Sequence, residues 1–113
     1  MLFDGTMDRI KRLKNLIDKT PDNPFPRYGL TMEYKNQGDH HEAVRIFQEL
    51  VEHHPNYTAA YFHFGMSLQA VGKQEEAQEI LELGIKVAGK SGELHAQEEL
   101  QSALKELCED IPQ

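Results

Sequence analysis

The sequence contains very little cysteine and no long apolar run. Cys108 is the single cysteine among 113 residues, which excludes a disulfide within the chain. No apolar stretch approaches the roughly 20 residues needed to cross a bilayer. At the N-terminus, basic residues follow a short apolar start, the wrong order for a secretory signal. These absences favour a soluble protein of the reducing cytoplasm.

Positive charge is also scarce, and it is unevenly placed. Twelve Lys and Arg residues face nineteen Asp and Glu residues, and the net charge of −7 argues against general nucleic-acid binding. Residues 1–19 hold five basic and three acidic residues, a balance of +2. Residues 75–113 hold three basic and ten acidic residues, a balance of −7. The chain therefore begins mildly basic and ends acidic. Charged residues on solvent-exposed helix faces would produce the same distribution without any role in binding.

Patterns of catalysis and metal binding are missing as well. The sequence has no Gly-rich phosphate loop, nucleophile elbow or HExxH pattern. The pairs His40–His41 and His53–His54 bracket a predicted helix, so about 1.5 Å of rise per residue separates them by roughly 18–21 Å. A single zinc ion, with bonds of about 2 Å to nitrogen, cannot bind both pairs. We predict no enzyme activity, no metal and no cofactor, and we expect Cys108 to pack in the core or at its boundary.

What the sequence does contain is an internal repeat. The segment "NQGDHHEAVRIFQELV" from Asn36 aligns without a gap on "AVGKQEEAQEILELGI" from Ala70, a period of 34 residues. Glycine falls on glycine and alanine on alanine in this alignment, as in Gly38 with Gly72 and Ala43 with Ala77. A period of this length is typical of stacked helical repeats.

Each repeat predicts two helices. In the first repeat, Pro24 is suited to the start of a helix, and Gly38 is suited to the left-handed turn that ends it. Asp39 and Glu42 then form a capping-box pattern at the start of the next helix. That second helix has one apolar stripe, and Pro55 stops it. The stripe consists of Ala43, Ile46, Phe47, Leu50 and Val51. The second repeat predicts helices from Thr58 to Val71 and from Lys73 to Ala88, with Gly89 and Gly92 in the outer turn.

The period and its residues resemble the tetratricopeptide repeat, whose pattern is Trp-x2-Leu-Gly-x2-Tyr, then Ala-x3-Phe, then Pro. The chain departs from the pattern at Arg27, where an aromatic is expected, at Leu50, where a small residue is usual, and at Gly89, where Pro is expected. At the positions of the pattern, one copy has Arg27, Leu30, Thr31, Tyr34, Ala43, Phe47 and Pro55, and the other has Tyr61, Phe64, Gly65, Leu68, Ala77, Leu81 and Gly89. The resemblance implies an all-α fold, an antiparallel helix–turn–helix solenoid with a right-handed superhelix of about six helices.

The flanks extend this single domain. Pro21 lies one period before Pro55, so 7–19 resembles the second helix of an incomplete leading repeat, with Met7, Ile10, Leu13, Leu16 and Ile17 on one side. The repeats then occupy 24–57 and 58–91. Residues 92–110 form an amphipathic capping helix, with apolar positions at Leu94, Leu100, Ala103, Leu104, Leu107 and Ile111.

In the family, the first helices of successive repeats line a concave groove that accepts a peptide. By resemblance, the candidate partner-binding residues here are Phe25, Tyr28, Met32, Lys35, Phe62, His63, Met66 and Gln69, with Ala59 beside them. On the third such helix the resemblance implies Glu93, Ala96, Gln97 and Leu100. Simple packing of these side chains, or cover by another copy of the chain, is the alternative.

The function that follows is a protein–protein interaction adaptor that binds a helical or apolar peptide segment of a partner protein. The alternative is a self-associating structural module, a homodimer through the groove or the solenoid ends. Chaperone-binding members grip a C-terminal carboxylate with Lys, Asn and Arg. Those places fall here on residues without a cation, namely Tyr28, Met32, His63, Glu93 and Gln97. We therefore predict no binding of tails that end in Glu-Glu-Val-Asp.

Overall fold

The computed structural model of the chain describes residues 5–110, and over this range it contains six α-helices and no strand. Each helix packs on the next along the chain, and α4 also contacts α6. The result is an elongated helical solenoid of 46 × 32 × 20 Å, which confirms the predicted all-α class with six helices. The helices are α1 (Thr6–Lys19), α2 (Pro24–Asn36), α3 (His40–His53), α4 (Ala59–Ala70), α5 (Gln74–Ser91) and α6 (Leu94–Asp110).

The turn between α2 and α3 has the same geometry as the turn between α4 and α5. Gly38 and Gly72 adopt φ angles of +82° and +83°, which only glycine adopts at little cost. The residue after each glycine donates its N–H to the carbonyl five residues earlier, at 2.9 Å in both turns. The sequence period of 34 residues is therefore also a structural period.

The same period explains the departure at Arg27. The Tyr61 hydroxyl at the start of α4 donates a hydrogen bond to the carbonyl of Pro55. One period earlier, the Arg27 guanidinium donates to the carbonyl of Pro21 at 3.2 Å. A different donor thus makes the same link between a helix and the turn before it.

The core consists of two clusters. The larger one joins α3, α4, α5 and α6 around the stacked rings of Phe47 and Phe64, whose centroids are 5.6 Å apart. The smaller one joins α1, α2 and α3 through Ile10, Leu30 and Ile46. The apolar stripe predicted for α3 is buried except at its last residue, which is half-buried.

The apolar stripes predicted for α1 and α6 are only partly buried. Met7, Leu16 and Leu94 are 62%, 45% and 67% exposed, because terminal α1 packs mainly against α2 and Leu94 is the first residue of α6. Cys108 is exposed rather than buried, since it points about 100° away from the buried Leu107 beside it. Ile111 lies outside the described residues.

The outer turn after the second repeat is also corrected. α5 continues through Gly89 to Ser91, and the left-handed residue that ends it is Gly92, with φ +72°. Pro55 stops α3 at the equivalent place, whereas glycine keeps its N–H and lets the helix continue. The division into a leading helix (7–19), two repeats (24–57 and 58–91) and a capping helix (92–110) stays a prediction.

Candidate functional site

The first helices of the repeats, α2 and α4, share one side of the solenoid with α6. We call this side the groove face. Tyr28 and Met32 on α2 lie one period before Phe62 and Met66 on α4, so an aromatic and a methionine recur on neighbouring helices. All four side chains are half-buried, which leaves part of each in contact with solvent.

A polar and aromatic cluster joins α2 to α4. The Lys35 Nζ donates a hydrogen bond to His63 Nδ1 at 3.1 Å, which needs a neutral ring with its proton on Nε2. The Tyr28 ring lies 6.1 Å from the His63 ring and meets Tyr57 edge-on at 5.5 Å. The Phe62 ring contacts His63 edge-on at 5.2 Å. His63 on α4 is thus held against α2.

The electrostatics of this cluster keep His63 neutral. Burial lowers the pKa of His63, the nearby charge of Lys35 lowers it further, and Glu99 opposes both effects. Burial also raises the pKa of Tyr28, with a smaller contribution from Tyr57. At neutral pH the cluster therefore carries one positive charge, on Lys35.

A cleft of about 390 Å³ lies between α4 and α6. Its apolar lining comes from Phe62, Met66 and Ala103. Its polar lining comes from α6, at His95, Glu98, Glu99, Ser102 and Glu106. A second cleft of about 130 Å³ adjoins it, since Phe62 and Glu99 line both. The groove face thus combines an apolar α4 with an acidic α6.

The predicted site residues have different surroundings. Tyr28, Lys35 and His63 contact one another, and Phe62 and Met66 line the larger cleft. Phe25 is 67% exposed at the start of α2, while Met32 and Gln69 are half-buried. Whether these residues contact a partner stays a prediction.

The register expected for α6 is wrong in part. Ala96 and Leu100 both line the smaller cleft, although Leu100 is only 1% exposed and also belongs to the core. Gln97 faces α5, where its amide donates to the carbonyl of Ile85 at 3.4 Å, and Glu93 precedes the helix.

The α6 residues that do line the larger cleft were missed, along with Tyr57. The buried residues Leu100, Ala103 and Leu107 recur at helical spacing. The polar residues beside this apolar stripe could therefore have been identified from the sequence. Those residues are His95, Glu98, Glu99, Ser102 and Glu106.

Among the histidines that bracket α3, His53 makes a local hydrogen bond. His53 Nδ1 donates to the carbonyl of Glu49 at 2.8 Å, within the last turn of the helix. Across residues 5–110, no group of three or more His, Cys, Asp or Glu side chains is placed to hold a metal ion. None of the helices in this range is both long and apolar enough to cross a membrane.

The stacked helical pairs and the groove face define a helical-repeat interaction module. Residues 36–104 match the tetratricopeptide repeat family, and the chain belongs to this family. Members of the family generally act as non-catalytic modules for protein–protein interaction.

Three similar proteins match most of the length of the chain. A TPR repeat-containing protein of Pseudomonas aeruginosa is 32% identical over 98 residues, which is 87% of this chain and 93% of the relative. A tetratricopeptide repeat domain protein from Salinibacter ruber is 30% identical, with a TM-score of 0.77 over 82% of this chain and 94% of its own. The TPR2B domain of yeast Sti1, solved as a pHsp70 complex, is 16% identical, with a TM-score of 0.83 over 90% of this chain and 82% of its own. This last likeness concerns the fold alone.

Proposed function

We propose that the chain is a non-catalytic adaptor that binds a helical or apolar segment of another protein on its groove face. The observation that carries the proposal is the position of Phe62 and Met66. Both are half-buried, and both line a cleft between two helices rather than a flat surface. A partner that covers them would remove apolar area from water, at about 25 cal/mol for each Å².

The composition of the face suits such a partner. Methionine is unbranched and polarizable, so it adapts to different apolar surfaces. The aromatic and methionine pair recurs on α2 at Tyr28 and Met32, so the apolar surface extends across two helices. Apolar anchors in a groove provide affinity, and polar neighbours set the register of the bound segment.

The first prediction concerns Met66. Replacing Met66 with Glu puts a charge in the apolar part of the cleft, beside the carboxylates of α6. We expect Met66→Glu to lose the partners that the wild-type chain retains in affinity capture from native lysate, because an apolar partner would have to desolvate that charge. Circular dichroism should show the same helical content in both proteins.

The matched control is Leu83→Glu. Leu83 is 44% exposed on α5 and lines neither cleft of the groove face. This variant therefore adds the same single negative charge as Met66→Glu, but outside the groove face. It should capture partners as the wild type does. Equal capture by wild type and Met66→Glu, with both folded, would refute the groove-face assignment.

A further inference from the structure

The α4–α6 cleft combines an apolar surface with several carboxylates. Phe62 and Met66 provide apolar contact from α4, while Glu98, Glu99 and Glu106 provide carboxylates from α6. The cleft is therefore not a neutral apolar groove. Any segment that binds in it meets apolar side chains and carboxylates together.

Within the described part of the chain, most of these carboxylates have no cationic partner. His95 lies 3.5 Å from Glu99, and both side chains are more than half exposed. Within residues 5–110, no cation pairs with Glu98 or Glu106. Lys35, the cation of the groove face on α2, is held at His63. The carboxylates of the cleft are therefore available to an incoming cation.

The spacing of the carboxylates favours a helix as the occupant. Glu99 and Glu106 are seven residues apart, about 10.5 Å along α6. On a helix lying alongside, residues seven apart have the same separation and the same face. In an extended strand, residues about 10 Å apart are three positions apart and point to opposite faces. A helical segment therefore matches the spacing of these carboxylates better than an extended strand does.

We propose that the α4–α6 cleft binds a basic amphipathic helix of a partner protein. Its apolar residues contact Phe62 and Met66, and its flanking Lys or Arg side chains pair with Glu98, Glu99 and Glu106. This inference rests on the proposed adaptor function and names the chemistry of its partner. Charge complementarity of this kind speeds association and sets specificity, and it weakens as salt rises.

The test uses synthetic helical peptides of about 16 residues, long enough for four turns. All share leucines at i, i+3, i+4 and i+7, and their flanking positions are Lys, Gln or Glu. A fourth peptide ends in Glu-Glu-Val-Asp. Each carries a fluorophore, and anisotropy measures its binding to the full chain at low and high salt. We expect the Lys peptide to bind most tightly, the Gln peptide more weakly, and both acidic peptides not to bind.

Two double variants distinguish the effect of charge in the cleft from the effect of the overall charge of the chain. Glu98→Gln with Glu99→Gln should weaken binding of the Lys peptide on the order of tenfold, since two charge pairs are lost. The control, Glu79→Gln with Glu82→Gln, removes the same charge from exposed positions on α5 outside the cleft. The control should bind the Lys peptide as the wild type does.

Several results would overturn the inference. If both double variants weaken binding equally, the attraction comes from overall charge and not from the cleft. If the Lys and Gln peptides bind equally and Met66→Glu loses both, the adaptor function stands and the charge preference is wrong. Tighter binding of an acidic peptide, binding of none of the peptides, or occupation of the cleft by a second copy of the free chain would each refute a basic partner helix.

Discussion

Glycine at position 84 allows α5 to approach α4 closely. A Cβ atom there would lie 2.6 Å from the Tyr61 Cβ and 3.2 Å from a methyl group of Leu100. The Tyr61 Cβ is bonded directly to the backbone, so it can move only if the helix moves. Gly89 lies five residues further along, where a Cβ would meet only the end of the flexible Gln97 side chain, at 2.7 Å. Gly84 is thus needed for close packing of the helices, whereas a larger residue at position 89 can be accommodated.

This contrast predicts opposite effects of alanine. Gly84→Ala should lower the free energy of unfolding by about 1–2 kcal/mol, because overpacking costs about 1–3 kcal/mol and helix propensity returns up to about 1 kcal/mol. Gly89→Ala should leave it unchanged or raise it by up to about 1 kcal/mol. Urea unfolding of the two variants beside the wild type measures both. Equal stability of the two variants would show that the close approach at Gly84 can relax.

At the scale of the element, the second helices of the two repeats differ in their N-caps. The Asp39 carboxylate accepts a hydrogen bond from the Glu42 N–H at 3.2 Å, which caps α3. Lys73 occupies the equivalent position before α5, with nearly the same backbone angles, and provides no side-chain cap. The backbone of the second repeat is therefore ready for a cap that its sequence does not supply.

Exchanging these residues should change stability in opposite directions. Lys73→Asp should raise the free energy of unfolding by about 1 kcal/mol, since it adds a cap and removes a cation from the positive end of the helix dipole. Asp39→Ala should lower it by about 1 kcal/mol. Urea titrations with matching slopes would measure both. A Lys73→Asp variant no more stable than wild type would show that Glu75 and Glu76, in the same first turn, repel the new carboxylate.

At the scale of the whole molecule, the two ends carry opposite charge. α1 has a basic outer side with the exposed Leu16 between Arg12 and Lys19, whereas α6 is acidic. A head-to-tail contact between copies would join these ends, and it is the rival to the adaptor function. Because such a contact repeats the same interface without closing, it would build chains of growing length.

We expect the free chain to be a monomer of 13.0 kDa by light scattering, with the same mass at low and high salt. The exposed basic surface of α1 has a single large apolar residue at its centre, which is a small area for a stable contact. A mass that grows with protein concentration at low salt and falls at high salt would favour the self-associating alternative.

The sequence by itself determined the helices, the repeat and the inner turns at Gly38 and Gly72. These features depend on short-range rules: helical spacing of apolar residues, glycine at left-handed positions, proline at helix starts and stops, and Asp39 at a cap. Such rules act between residues within one or two helical turns of each other, so they can be read from the sequence of a single repeat. The family resemblance then implied which helices share the groove face.

Only the tertiary structure decided which side of α6 meets its neighbours. Leu100 lies beside Gly84, where the missing side chain leaves room for it, so Leu100 enters the core. That contact turns Glu98, Glu99 and Glu106 toward α4 and turns Gln97 toward α5. The Lys35–His63 hydrogen bond likewise joins residues 28 positions apart. The stripe of Leu100, Ala103 and Leu107 is visible in the sequence. Which neighbouring helix each flank of that stripe faces, and which residues of α2 and α4 meet, depend on how separate helices pack.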